Sequence, residues 1–125
     1  MSSVSAVAAL ALLEYVIISL MTGRARATYN VKAPATTGDP MFERYYRVQQ
    51  NTVEQLVVFL PSLFLFATYV SVGLAALLGL VFVVGRAIYA RGYISDPERR
   101  GVGFIIGFAA NMILLLGGLI GAIAD

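Results

Sequence analysis

Two stripes of polar side chains carry the groups of this sequence that could bind a charged ligand. The first contains Arg47, Asn51 and Glu54, spaced i, i+4 and i+7, so a helix of 3.6 residues per turn presents all three on one face. Such a set suits a small zwitterionic ligand, because guanidinium groups bind carboxylates and a carboxylate binds an ammonium group. The alternative is a salt-bridge and hydrogen-bond network between helices, and this stripe alone does not decide between the two.

The second stripe contains Arg86, Tyr89 and Tyr93, which repeat at i, i+3 and i+7. Tyrosines are also common where helices leave a bilayer, where they face lipid headgroups. Because both tyrosines share a helical face with a cation, we expect them to face the first stripe in one binding site.

The absent residue types limit the chemistry further. The chain has no Cys and no His, so it lacks a thiolate nucleophile, a soft metal site and the commonest general base. We predict no metal, and any catalysis must use a reactive group that a cosubstrate supplies. Nucleic-acid binding is not expected, because the basic residues flank apolar segments instead of lining a soluble face.

The elements that position these stripes are predicted to be membrane helices. Of the 125 residues, 59% are hydrophobic, and the mean hydropathy of +0.82 is far above that of a soluble domain. The fold class is therefore all-α, an integral membrane four-helix bundle forming a single domain over residues 1–125. The spans are predicted at about residues 4–22, 42–70, 73–91 and 102–124, each close to the roughly 20 residues a crossing needs.

Charge predicts the orientation of the bundle. All nine Lys and Arg residues fall between Arg24 and Arg47 or between Arg86 and Arg100. Basic residues near helix ends stay on the cytoplasmic side, so both of these connections should be cytoplasmic and both termini non-cytoplasmic. The first connection, from Gly23 to Met41, is polar, and its segment Ala35–Pro40 is predicted to be an irregular loop. The small size and short loops favour a bacterial inner membrane.

Glu14 lies in the middle of the first span, where an ionisable group is costly. It is either a paired or protonated residue between helices, or the proton carrier of a small multidrug exporter, a class that also has four short helices. The glycines of the fourth span, including Gly103 and Gly107, are expected to allow close helix packing.

Three segments resemble a known family. Residues 42–54, FERYYRVQQNTVE, resemble the signature of the MAPEG family, the membrane-associated proteins of eicosanoid and glutathione metabolism. Residues 85–93, GRAIYARGY, resemble the third-helix motif of its leukotriene C synthases and microsomal glutathione transferases, and the Thr36-Thr37-Gly38 segment also fits.

The resemblance implies a homotrimer that binds glutathione between subunits on the cytoplasmic side. The cosubstrate, a lipophilic electrophile or a lipid hydroperoxide, would arrive from the membrane lipid. It implies that Arg100 contacts the glutathione sulfur and stabilises its thiolate, with the neighbouring Arg99 as the alternative. The implied glutathione-binding residues are Arg26, Arg47, Gln49, Asn51, Glu54, Arg86, Tyr89 and Tyr93.

The predicted function is a membrane-bound glutathione transferase acting in detoxification, with glutathione peroxidase activity as an extension. Gln55 replaces the aromatic residue of leukotriene C synthase, so leukotrienes are not implied as substrates. A non-catalytic member of the family, the activating protein of the lipoxygenase pathway, lacks the arginine that corresponds to Arg47, and the presence of Arg47 together with Arg100 favours an enzyme. The alternatives are a non-catalytic protein of this family that binds lipid or glutathione, and the exporter that uses Glu14.

Overall fold

The computed structural model describes all residues from Met1 to Asp125 and contains four long helices without a strand. A short 3₁₀ turn, Pro97–Arg99, precedes the last helix. All four helices are long and apolar enough to cross a membrane. The predicted all-α class is confirmed. The helices are α1 (Ser2–Tyr29), α2 (Pro40–Tyr69), α3 (Val72–Ser95) and α4 (Arg100–Ala124).

Helix α1 extends well beyond its predicted end at residue 22 and stops at Tyr29. Residues 23–29 include two alanines and two arginines, which are good helix formers. At 1.5 Å per residue the helix is about 42 Å long, the thickness of a bilayer together with its headgroups. It ends at Asn30, which has the left-handed conformation (φ 58°, ψ 44°) that commonly ends helices. The predicted end of the first span, at about residue 22, is therefore too early for the helix, and the connection to α2 begins only after Tyr29.

Side-chain caps fix the starts of the two middle helices. The Asp39 carboxylate accepts hydrogen bonds from the backbone N–H groups of Met41 and Phe42, at 2.9 and 3.0 Å, and Pro40 follows it at the first helical position. At the other end of the bundle the Ser71 hydroxyl accepts from the Leu74 N–H at 3.1 Å. Helices α2 and α3 consequently form a tight hairpin, with only Val70 and Ser71 between them.

The bundle core is apolar and closely packed. The rings of Phe59 on α2 and Phe82 on α3 stack at 3.9 Å between centroids, and both are fully buried. Helices α3 and α4 approach so closely that a Cβ added to Gly85 would lie 2.6 Å from the backbone nitrogen of Gly107. Small residues at such a contact let two backbones meet. The long apolar side chains exposed on the outside, such as Leu20, suit a hydrocarbon solvent.

Arg44 joins the two basic connections at one end of the bundle. It lies in the first turns of α2, and its Nη1 donates to the backbone carbonyls of Ile94 and Ser95 at 3.0 and 3.2 Å. These carbonyls belong to the last turn of α3, where a cation satisfies free acceptors and interacts favourably with the helix dipole. The contact brings the start of α2 against the end of α3, where both polar stripes lie.

Candidate functional site

A polar cavity of about 420 Å³ opens at the basic end of the bundle, between helices α2, α3 and α4. Six of the nine residues around it are polar or glycine. Its lining residues are Arg47, Gln50, Asn51, Glu54, Tyr89, Tyr93, Arg100, Gly101 and Phe104.

Helix α2 supplies one wall of the cavity. Arg47, Asn51 and Glu54 share this wall, as their i, i+4, i+7 spacing predicts. The helix is held in place on its other side, where Val48 and Thr52 are buried. The Oδ1 atom of Asn51 is buried and has no hydrogen-bond partner within the protein. An unpartnered buried acceptor is costly, so this amide is available to a ligand donor.

Helix α3 forms the opposite wall with two phenols. Tyr89 is almost fully buried, while Tyr93 is half-buried, and their ring centroids lie 5.7 Å apart. Phe104 from the second turn of α4 packs against Tyr89 at 6.2 Å. These aromatic contacts fix the rings and leave the phenol groups as donors and acceptors for a bound molecule.

Arg100 enters the cavity from the first position of α4. Its Nη1 donates to the Pro97 carbonyl at 2.7 Å, which restrains the guanidinium at the cavity edge. The preceding turn is itself fixed, because the Asp96 carboxylate accepts from the Glu98 N–H at 3.1 Å. Arg100 lines the cavity and Arg99 does not, so the structure favours Arg100 over its neighbour as a contact for a ligand there.

The cavity has a defined charge pattern. Two guanidinium groups, those of Arg47 and Arg100, and one carboxylate, that of Glu54, line it, so its net charge is positive. A ligand with two anionic groups and one cationic group would match this pattern. An adjacent cavity of about 600 Å³ shares Arg47 and Tyr93 with the first and extends to Thr36 and Thr37. The space for a ligand therefore continues along the α1–α2 connection.

Three residues of the predicted set lie outside this cavity. Arg26 donates to the carbonyls of Ala35 and Val31, at 2.7 and 3.4 Å, and its guanidinium lies 4.7 Å from the centre of the Phe42 ring. Gln49 is partly buried on α2 and does not line the cavity. Arg86 is 1% exposed and lies behind the cavity, inside the bundle.

The cavity also contains residues that the sequence reasoning did not select. Gln50 follows Arg47 by three residues, so helical spacing already places it on the same face, whereas the family motif pointed to Gln49. Phe104 lies four residues after Arg100, so helical spacing places both side chains on the same face of α4. Gly101 lines the cavity with backbone, which residue type alone does not signal. No group of three or more His, Cys, Asp or Glu side chains lies together in the chain.

Comparison with known proteins agrees with this architecture. The sequence profile of the MAPEG family matches residues 4–120. An uncharacterized protein of the cyanobacterium Synechocystis is 50% identical over 114 residues, which cover 91% of this chain and 83% of that protein. Human microsomal glutathione S-transferase 2 is 37% identical over 117 residues, 94% of this chain and 80% of the relative.

Leukotriene C4 synthase of the guinea pig, Cavia porcellus, is 43% identical over 82 residues, which cover 66% of this chain and 55% of that enzyme. The profile match covers all four helices, and the matches to the Synechocystis and human proteins each extend over more than nine tenths of the chain. Together with the four apolar helices, these matches show that the chain is a multi-pass membrane protein consisting of one four-helix bundle. The chain belongs to the MAPEG family.

Proposed function

We propose that this protein is a membrane-bound glutathione transferase. The observation that carries the proposal is the single cavity in which Arg47, Glu54 and Arg100, drawn from two helices, meet two phenols and an unpartnered amide oxygen. Relatives named as glutathione S-transferase and leukotriene C4 synthase support a glutathione-dependent transfer at the level of the family.

Glutathione carries two carboxylates, one ammonium group, two amides and a thiol, and the cavity offers a partner for each class. Arg47 binds a carboxylate, and Glu54 binds the ammonium group. Asn51 presents its free Oδ1 to an amide N–H, and Tyr93 donates to a carbonyl or carboxylate oxygen. Arg100 is left to interact with the thiol.

The cysteine of glutathione supplies the nucleophile that the chain itself lacks. A free thiol has a pKa of about 8.5, and a nearby guanidinium favours the charged thiolate and so lowers this pKa. Each unit of depression corresponds to about 1.4 kcal/mol, so one to two units make the thiolate abundant near neutral pH. The thiolate sulfur then forms a bond to an electrophilic carbon, and the electron pair leaves with the departing group or moves onto an activated double bond.

Arg100 is tested by measuring both the thiolate and turnover. Wild-type protein in detergent, mixed with glutathione, should show thiolate absorbance at about 240 nm at a lower pH than free glutathione. Arg100→Ala should shift this titration back toward the free thiol and reduce kcat by about 100-fold or more, the usual effect of losing a group that stabilises a developing anion. Binding of S-hexylglutathione, which has no ionisable thiol, should change little.

The same assay separates the proposal from its alternatives. Glutathione binding without a thiolate signal or conjugation would support a non-catalytic binding protein of this family. Lipid hydroperoxides among the test substrates decide whether the thiolate also acts as a peroxidase. Its attack on the terminal peroxide oxygen forms a sulfenic acid and releases an alcohol, and a second glutathione then forms the disulfide and releases water. The exporter alternative predicts instead that Glu14→Gln abolishes drug-gradient transport, whereas Arg100→Ala leaves that transport intact.

We further propose that the protein acts as a homotrimer in a bacterial inner membrane. Arg26 and Gln49, which lie outside the cavity of their own subunit, would then complete the glutathione site of a neighbour. Native mass spectrometry in mild detergent should report three chains, and Arg26→Ala should weaken glutathione binding without altering that mass. A monomer that retains full glutathione affinity would exclude this arrangement.

A further inference from the structure

Arg86 is the largest fully buried side chain of the protein, and it lies inside the bundle. Its buried guanidinium requires hydrogen-bond acceptors or an opposite charge. One of its terminal nitrogens, Nη2, donates to the Thr52 hydroxyl at 2.9 Å. Its Nε is also buried and has no hydrogen-bond partner. An unpaired donor on a buried cation is costly in an apolar environment, so a further partner is expected.

Arg86 contacts both walls of the glutathione cavity from behind. Toward α2 it binds Thr52, which directly follows the cavity residue Asn51. Toward α3 its guanidinium lies 4.2 Å from the centre of the Tyr89 ring, a cation–π distance, and Tyr89 lines the cavity. The position of this one buried side chain therefore affects the spacing of the two walls.

Glu14 is the one acidic side chain of helix α1, which packs against α3. It lines a groove between α1 and α3 together with Ala87 and Ala90, which follow Arg86 by one and four residues along α3. Its Oε1 is buried and also lacks a hydrogen-bond partner. Helix α1 packs directly against α3, while Arg47 and Arg100 line the cavity that α2, α3 and α4 form.

The geometry points to Glu14 as a positioning residue for the glutathione cavity: we propose that its carboxylate is the partner of the buried Arg86, and that Glu14, Arg86 and Thr52 form a polar lock which holds Tyr89 and the α2 wall in place. The inference rests on the proposed function, because it assigns a role in glutathione binding to a residue that does not line the cavity. One orphaned acceptor and one orphaned donor, on neighbouring helices, complete each other through one bridging water.

The physical reason for such a lock is the low dielectric of the bundle. An uncompensated guanidinium would draw water or lipid phosphate toward itself, whereas a paired one stays beneath the Tyr89 ring. The hydroxyl of Thr52 and the carboxylate of Glu14 approach from different helices, so they fix the guanidinium from two sides. Helix α1, which contributes nothing else to this cavity, then becomes necessary for its shape.

The test measures glutathione affinity by isothermal titration calorimetry in detergent, together with melting temperature. Glu14→Leu should raise the glutathione Kd by about tenfold, a typical strength of coupling through packed side chains. Glu14→Gln keeps an acceptor oxygen and should recover a large part of that loss. In an Arg86→Met background, Glu14→Leu should have little further effect on either the Kd or the melting temperature. Glu98→Gln removes an exposed carboxylate outside the cavity and serves as the control that should leave the Kd unchanged.

Additive losses in the Glu14 and Arg86 variants, or a wild-type Kd in Glu14→Leu, would overturn the lock. A lower melting temperature with an unchanged Kd would show that the pair is structural only, and this also overturns its positioning role. If the wild-type protein binds no glutathione, the proposed function fails and the positioning role fails with it. The melting-temperature cycle still reports in that case whether Glu14 and Arg86 are partners, so the two failures are distinguished.

Discussion

Arg47 borders both polar cavities, and no other arginine does. Its side chain is exposed, so it is accessible to a ligand from either one. A guanidinium in this place provides a planar pair of donors for a carboxylate, which a single ammonium group does not provide. Affinity for a peptide carboxylate should therefore depend on Arg47 more strongly than on the total charge of the basic end.

We expect Arg47→Ala to weaken glutathione binding by about 10- to 100-fold, the range of a lost hydrogen bond to a charged group. Arg47→Lys should recover only part of the lost affinity, because lysine keeps the positive charge but not the planar pair of donors. Arg91→Ala removes an equally exposed cation that lies on the α1–α3 groove, and it should leave the Kd unchanged. Equal losses in Arg47→Ala and Arg91→Ala would show that only long-range charge attracts the ligand.

Helical periodicity predicted which residues share a helix face but not how deeply each side chain is buried. It placed Arg47, Asn51 and Glu54 in one cavity wall. On α3 it grouped Arg86 with the two tyrosines, yet only the tyrosines reach the cavity, because other helices cover the side of α3 on which Arg86 lies. Spacing along a helix fixes an angle around its axis, whereas burial depends on how the neighbouring helices pack, which a single sequence does not state.

At the scale of the elements, the cavity depends on how closely α3 and α4 meet. A Cβ added to Gly103 would collide with the backbone of Tyr89 and lie 2.8 Å from the carbonyl oxygen of Gly85. Rigid backbone atoms cannot move aside, so the two helices would have to separate. Arg100 begins the same helix one turn earlier and would move away from the tyrosines of α3.

Gly103→Ala should therefore lower both stability and activity. Overpacking of this kind costs about 1–3 kcal/mol, measurable as a lower melting temperature in detergent. The kcat/KM for conjugation should decrease as well, because Arg100 and the tyrosines no longer face each other at the right distance. Gly73→Ala is the matched control, since nothing lies within 4 Å of a Cβ added there. An active, stable Gly103→Ala protein would mean that α4 adapts without moving the site.

The number and order of the helices followed from hydropathy, since each span is close to the length a bilayer requires. Helix ends were less predictable. The hydropathy of α1 falls at Gly23, but its backbone continues as a helix to Tyr29, because arginine and alanine favour helix in water and headgroups as well as in hydrocarbon. Hydropathy reports the solvent of a segment and not its conformation, so it marks where a membrane ends and not where a helix ends.

At the scale of the whole molecule, the two basic connections form one end of the bundle, and the α2–α3 turn forms the other. Arg44 on α2 binds the last carbonyls of α3, which places both charge-bearing segments and the polar cavity together. The far turn, around Val70 and Ser71, contains no charged residue. We expect the basic end to face the cytoplasm, by the positive-inside rule, and glutathione to enter the cavity from there.

Cysteine labelling tests this orientation, and the absence of native cysteine leaves an unlabelled background. Ala35→Cys places a thiol in the α1–α2 connection, and Val70→Cys places one at the α2–α3 turn, where both native side chains are exposed. In a bacterial inner membrane, a membrane-impermeant maleimide added to intact spheroplasts should label Val70→Cys alone, and Ala35→Cys should react only after lysis. Labelling of Ala35→Cys in intact spheroplasts, with Val70→Cys protected, would place the polar cavity on the opposite side of the membrane and contradict the proposed entry of glutathione from the cytoplasm.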